Sequence, residues 1–150
     1  MAIKMSTGLR NEMLSGSSFK NTFDAGSEIR IYGGAIPSSA DSSIGAATLL
    51  CVVKNGSSGI TFDTAAINGI LQKNPSETWQ GTVLAAAGAG TNATFYRHVL
   101  TADDDTASAT APRYQGTVAV VGADMNLTST LLVSGAVQGL DYHAVTIASA

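Results

Sequence analysis

His98, His143 and Cys51 are the side chains in this chain best suited to nucleophilic or metal chemistry, and their spacing decides what they can do. Both histidines fall inside stretches that read as strands, where a histidine is ordinarily a hydrogen-bonded structural residue. Gly-x-Ser-x-Gly is absent, and Ser57 and Ser58 sit in Gly56-Ser57-Ser58-Gly59, which lacks the spacing of a nucleophile elbow. A zinc site would need Cys51, His98, His143 and a carboxylate to converge from distant positions, because none of the close ligand pairs of a structural zinc site is present. Cys51 lies in an apolar run and reads as a buried, unreactive thiol with no partner for an intrachain disulfide.

Asp103-Asp104-Asp105 is the one acidic cluster. It lacks the glycine at the sixth position and the glutamate at the twelfth that an EF-hand loop uses, so it reads as an exposed loop tip. Gly88-Ala89-Gly90 runs into Thr91-Asn92 instead of Gly-Lys-Ser/Thr, so it is no phosphate loop. Trp79, the single tryptophan, reads as a core or interface residue. A carbohydrate-binding module would carry several exposed aromatics, and aromatics make up only 6% of the chain. No catalytic residue, cofactor or metal is therefore predicted, and the expectation is a binding protein.

Composition points the same way. Charged residues are 13% of the 150, about half the usual share, while apolar residues reach 45%, which excludes a disordered chain. Ala, Gly, Ser and Thr replace the missing charge. A surface of small neutral residues resists association poorly, because few ions need desolvating on contact. The net charge of −3 and the scatter of lysines and arginines argue against a nucleic-acid partner. No apolar run is long enough to span a membrane, and Ser6, Gly8, Arg10, Asn11 and Glu12 interrupt any secretory-type apolar region after Lys4.

The elements behind these residues are strands. In Glu28–Tyr32, Ile29 and Ile31 face one way and Glu28, Arg30 and Tyr32 the other, the period of a half-buried strand. Thr48–Val53 is a continuous apolar run suited to a strand buried on both faces. Asn55-Gly56-Ser57 and Asn68-Gly69 are turn signals. Ile60–Asp63, Gly69–Lys73, Trp79–Ala87, Ala93–Thr101 and Arg113–Val121 read as further strands. So does Met125–Val133, with Met125, Leu127, Leu131 and Val133 inward. The last is Leu140–Ala148, with Tyr142, Val145 and Ile147 packing. This predicts an all-β fold: a β-sandwich or jelly-roll-like domain of about eight strands over residues 28–150.

Residues 1–27 differ. Met5, Leu9 and Met13 recur every four positions with Leu14 beside them, and Ser6 is placed to cap a helix over Thr7–Leu14. So short a helix must pack on something. Two readings stand: it lies on its own domain, or it is an arm on a neighbouring subunit. The connection Ala35–Gly45 is long for a hairpin and carries Ile36 and Ile44 in polar surroundings. Met5, Leu9, Met13, Leu14, Ile36 and Ile44 are the predicted partner-interface residues.

Several blocks resemble a known group in the same order along most of the chain. Ser6-Thr7-Gly8-Leu9-Arg10-Asn11-Glu12-Met13-Leu14 looks like the opening of small virion proteins of tailed bacteriophages. Ile29-Arg30-Ile31-Tyr32-Gly33-Gly34-Ala35-Ile36-Pro37 with Ala40-Asp41, Thr48-Leu49-Leu50-Cys51, Phe95-Tyr96-Arg97-His98 and Gly116-Thr117-Val118 to Leu127 also resemble them. These are structural patterns, not catalytic signatures. The resemblance implies a capsid decoration or cement protein, made in the bacterial host cytoplasm and bound outside the major capsid protein lattice as a homo-oligomer, most simply a dimer. It also implies that Ala35–Gly45 is a contact loop against the capsid or a sister subunit. A tail or head–tail connector component is the alternative it leaves open. A carbohydrate-binding module and a hydrolase built on His98 or His143 are the alternatives from other classes.

Overall fold

The alternation at Ile29 and Ile31 builds the centre of a sheet. In the computed structural model, which describes residues 3–146, β2 (Ser27–Gly33) lies between β3 (Thr48–Asn55) and β7 (Phe95–Leu100). The sheet continues through β8 (Arg113–Ala119) to β1 (Lys4–Met5) on one side. On the other it runs through β5 (Trp79–Thr82) to β11 (Val137–Leu140). β9 (Met125–Asn126) adds to β8 as the one parallel strand pairing among the described residues, completing eight strands. Two small antiparallel pairs flank the sheet: β4 (Ile70–Gln72) with β12 (Ala144–Thr146), and β6 (Thr91–Asn92) with β10 (Leu131–Leu132). The fold is all-β, with two short helices, α1 (Thr7–Asn11) and α2 (Phe19–Asp24).

Register sorts the side chains by face. Ile29 pairs with His98 and Val53, Ile31 with Tyr96 and Cys51, and His98 with Tyr114. These residues share the inner face and are fully buried. The N-terminal segment covers them. Phe23 of α2 stacks on His98 with ring centroids 4.3 Å apart, and Phe19 meets Tyr114 edge-on at 5.4 Å. Phe62, Trp79 and His143 close the cluster from the far side. Burying Leu9, Phe19 and Phe23 stabilises the fold by on the order of 2 kcal/mol each.

Residues 4–24 are therefore part of the sheet and its core. β1 pairs with β8, and α1 begins with Ser6 Oγ accepting the Leu9 N–H at 3.0 Å, as the capping pattern predicts. Gly8 sits in α1 because the backbone of Thr110 passes over it: a Cβ there would lie 2.2 Å from the Thr110 carbonyl oxygen. Helical spacing beyond Asn11 gives way to a π turn over Glu12–Gly16.

Other expectations need correcting. β2 is buried on both faces, not half-buried. Met125–Val133 is two short strands whose alternation changes phase: Met125, Leu127 and Leu132 are buried, whereas Leu131 and Val133 are exposed. Asn92 and Thr130 hydrogen bond across β6 and β10, and this separate pairing resets the register. Trp79–Ala87 keeps Trp79 and Val83 inward but turns into a 3₁₀ turn at Ala85. The final segment is also broken, and Tyr142 is 70% exposed between β11 and β12. Ile147 lies outside the described residues. At Asn68-Gly69 both φ angles are positive, 53° and 76°, so the dipeptide makes the tight turn its chemistry favours and leads into β4.

His98 and His143 are both buried in the aromatic cluster, 6.4 Å apart. Burial holds both below the ordinary histidine range, His143 down to about 4 and His98 well below. In the unfolded chain each takes up a proton near pH 6.5, so between that value and about 4 the unfolded state binds more protons. Stability is thus complete above about pH 6.5 and is lost as pH falls, by roughly 1.4 kcal/mol per pH unit per histidine. Urea unfolding at about pH 7 and about pH 4.5 should show this loss, and His143→Leu should reduce it. An identical decline in the variant would refute the assignment.

Candidate partner interface

The outer face of the sheet carries Glu28, Arg30 and Tyr32 of β2, Arg97 of β7, and Arg113 and Gln115 of β8. All are buried, because two connections fold over them. Arg113 makes a two-pronged contact with Asp103, with Nε donating to Oδ2 at 2.7 Å and Nη2 to Oδ1 at 3.0 Å. It also donates to the carbonyls of Thr106 and Ala40. Arg30 donates to Glu28 at 2.7 Å and Asp105 at 3.0 Å, and Tyr32 Oη donates to Asp105 at 2.7 Å. Lys54 reaches the second Glu28 oxygen at 3.0 Å. Burial works against the Arg30 charge, but the bonds to Glu28 and Asp105 outweigh it and hold the guanidinium more firmly protonated than usual. Burial, then the bond to Asp105, pushes the Tyr32 hydroxyl up.

Arg97 has no carboxylate partner among the described residues. Its Nε donates to Gln115 Oε1 at 2.8 Å and its Nη2 to the Ser42 carbonyl at 2.7 Å. Burial, then the neighbouring Arg113, lowers its pKa. Gln115 and Lys4 hold the Pro37 carbonyl, while Asp41 accepts from the backbone N–H and the hydroxyl of Thr7, both at 2.7 Å. The segment 35–45 is thus bound down on its own sheet.

This overturns the acidic loop as an exposed tip. Asp103 and Asp105 are internal anchors, and only Asp104 points to solvent. Of the predicted interface residues, Leu9 is fully buried in its own core and has no surface to offer a partner. Met5 packs against that core from β1. Ile36 is 38% exposed, and Ile44 is half-buried, its backbone N–H bonded to the Asp105 carbonyl. Met13 and Leu14 come out on the π turn, Met13 half-buried and Leu14 86% exposed.

A further exposed apolar strip lies outside these predicted residues. Leu84, Leu131, Val133 and Val137 are all exposed. They adjoin, because Val83 donates to the Ala136 carbonyl, Ser134 to that of Gly88 and Gly135 to that of Val83. Ala85, Ala86, Gly88 and Ala89, which follow Leu84 in the chain, are exposed as well. A simple signal marks it in the sequence: no charged residue occurs from Thr78 to Tyr96 or from Met125 to Leu140. The fold pairs these two stretches through β5 with β11 and β6 with β10.

The candidates for chemistry are enclosed. Ser27 Oγ and His98 Nε2 are 2.8 Å apart, but both residues are fully buried and His98 Nδ1 has no hydrogen-bond partner. Burial pushes the Cys51 thiol up to about 11. Trp79 is buried, with its indole N–H on Glu77, and Tyr142 is the one exposed large aromatic among the described residues. No group of three or more metal-ligating side chains occurs among the described residues, nor any helix long and apolar enough to cross a membrane. Comparison with protein-family models, characterised proteins and solved structures gave no match.

Breaking a buried pair leaves an uncompensated charge. Arg113→Ala should therefore lower stability by about 3 kcal/mol or more in urea unfolding. Asp104→Asn, on the exposed neighbour, should leave the midpoint unchanged. Equal midpoints for the Arg113 variant and the unmodified protein would show that the clamp contributes nothing.

Proposed function

We propose that this chain is a bacteriophage virion structural protein that decorates the outside of the major capsid protein lattice and strengthens the head. The observation that carries the reading is the apolar strip of Leu84, Leu131, Val133 and Val137, bordered at Val137 by the Glu28–Lys54 pair, on a domain whose long connections are tied down. The order of sequence blocks resembling small tailed-phage virion proteins supports it. The sandwich or jelly-roll description of the architecture belongs to the same proposal, with the β4–β12 pair as the start of a second layer.

The mechanism is adhesion. A rigid neutral strip loses little on desolvation and little conformational entropy on contact. Lattice symmetry repeats the contact many times, and each bound copy that bridges two capsomers turns weak single contacts into a lasting attachment. A dimer suits such bridging, because one copy can sit on each side of a seam. The outer-face arginines have a defined part here. They remove the polar loops from the contact problem by folding them onto the sheet, so the loops need no ordering when the partner arrives.

Leu131→Asp and Val137→Asp each place a charge in the strip without touching the core. Decoration-free capsids incubated with either variant should retain roughly ten-fold less protein after sedimentation than with the unmodified chain. Circular dichroism should be unchanged. Full capsid occupancy by a Leu131→Asp, Val137→Asp double variant would remove this surface from the proposal, and no binding by the unmodified chain would remove the proposal itself.

A further inference from the structure

We infer that the cleft between β9 and β11 takes an extended basic segment of a protein partner, which adds as a strand to the open edge of β11 and presents arginine or lysine side chains to Asp124 and Asp141. The partner's identity rests on the decoration reading, because Val137 of the apolar strip also lines the cleft. The cleft has a volume of about 510 Å³ and is lined by residues 124–128 and 137–144. β9 is carried by β8, whereas β11 ends the other side of the sheet, so the curl of the sheet brings segments from both sides to one cleft. Successive side chains of a strand point to opposite faces. The unbroken run Val137–Leu140 along the cleft therefore means that the edge of β11 borders it. That edge has no neighbouring strand among the described residues. Val83 donates to the Ala136 carbonyl, and the antiparallel alternation then turns the backbone groups of Val137 and Gly139 away from β5. Gly139 is exposed and has no side chain, so another backbone can come close. Its carbonyl accepts from the Gln138 side chain at 2.9 Å, a contact that an incoming N–H can replace.

Charge decides what kind of segment fits. After Arg113 the sequence holds two charged residues, Asp124 and Asp141, and both line this cleft. No lysine or arginine is among its described lining residues. Thr117 donates its backbone N–H and its hydroxyl to Asp124 Oδ2, both at 2.8 Å. This fixes the carboxylate and leaves Oδ1 to face a ligand. Asp141 is exposed and in no salt bridge among the described residues. Tyr142, beside it and 70% exposed, adds an aromatic face on which a guanidinium can stack. An acidic segment meets two like charges here, and a neutral one leaves both carboxylates unanswered. β12 leads away from the cleft after Ala144, since Val145 lines the recess at Met13 and Phe19, and Thr146 pairs with Ile70. The two surfaces then divide their tasks. The apolar strip supplies adhesion, and the acidic cleft selects the partner, because a charge pair discriminates where a neutral surface does not.

NMR titration of the isotope-labelled full chain tests this without any capsid. The probe is a short blocked peptide alternating threonine and arginine, and its control carries glutamate in place of arginine. The arginine peptide should shift the amide signals of Gly139 and Tyr142, and added salt should weaken its binding. Asp141→Lys, on an exposed residue between β11 and β12, should weaken that binding by at least ~10-fold and admit the glutamate peptide. An unchanged thermal melt should show that the variant folds. No shift with the arginine peptide, equal shifts with both peptides, or undiminished binding by the variant would overturn the inference. So would maltotriose shifting these amides where the arginine peptide does not, which would mark a glycan site. Capsid binding by an unmodified chain that ignores the peptide would sink the cleft alone. Peptide binding without capsid binding would sink the decoration reading and leave the cleft to another basic partner.

Discussion

The structure depends on putting three arginines, Arg30, Arg97 and Arg113, on the face of a sheet that has no second sheet to cover it. An open outer face would leave the sheet wet on one side. Guanidinium groups change that, because each offers up to five donors in a fixed plane and can hold several backbone carbonyls at once. Arg113 ties the Ala40 and Thr106 carbonyls together with Asp103, and Arg97 ties down Ser42. Long polar connections thereby become a lid. The cost of burying the charges is offset at Arg30 and Arg113 by carboxylates, while Arg97 relies on neutral acceptors and leaves one nitrogen unpartnered.

The two faces of the sheet divide the work of stability. The inner face is aromatic, and its polar atoms are the exception: His98, His143 and Tyr114 each leave one buried atom without a partner. The outer face is ionic, and most of its polar atoms are paired. Gain of protons therefore attacks the inner face, where it charges the two buried histidines.

The sequence made the inner face of the central strands legible and the connections that cover the outer face illegible, for one physical reason. Alternation reports which way a side chain points but not what lies beyond it. Ile29 and Ile31 announced the inner face, and Ser6 announced its helix cap. Arg30, Asp103 and Asp105 read as solvated because a lone charge in sequence is usually outside. Their partners stand far off in the chain, Arg30 with Asp105 for example, and no local pattern encodes such a pairing. The interface residues divide the same way. Leu9 keeps the four-residue spacing and belongs to the core, whereas Leu14 breaks that spacing and is the most exposed of the set.

Charge placement then accounts for the surface. Much of a small domain's scarce charge is used here internally: Glu28, Arg30, Arg97, Asp103, Asp105 and Arg113 are committed to the outer-face clamp. What remains is too sparse to cover the exterior, and the pairing of β5 with β11 brings two charge-free stretches side by side. In an isolated monomer such a surface is a liability for solubility. In the proposed decoration protein, it is the part that binds. The interior clamp and the sparsely charged exterior are thus two consequences of one distribution: charge placed inside to fix the loops is charge absent from the surface.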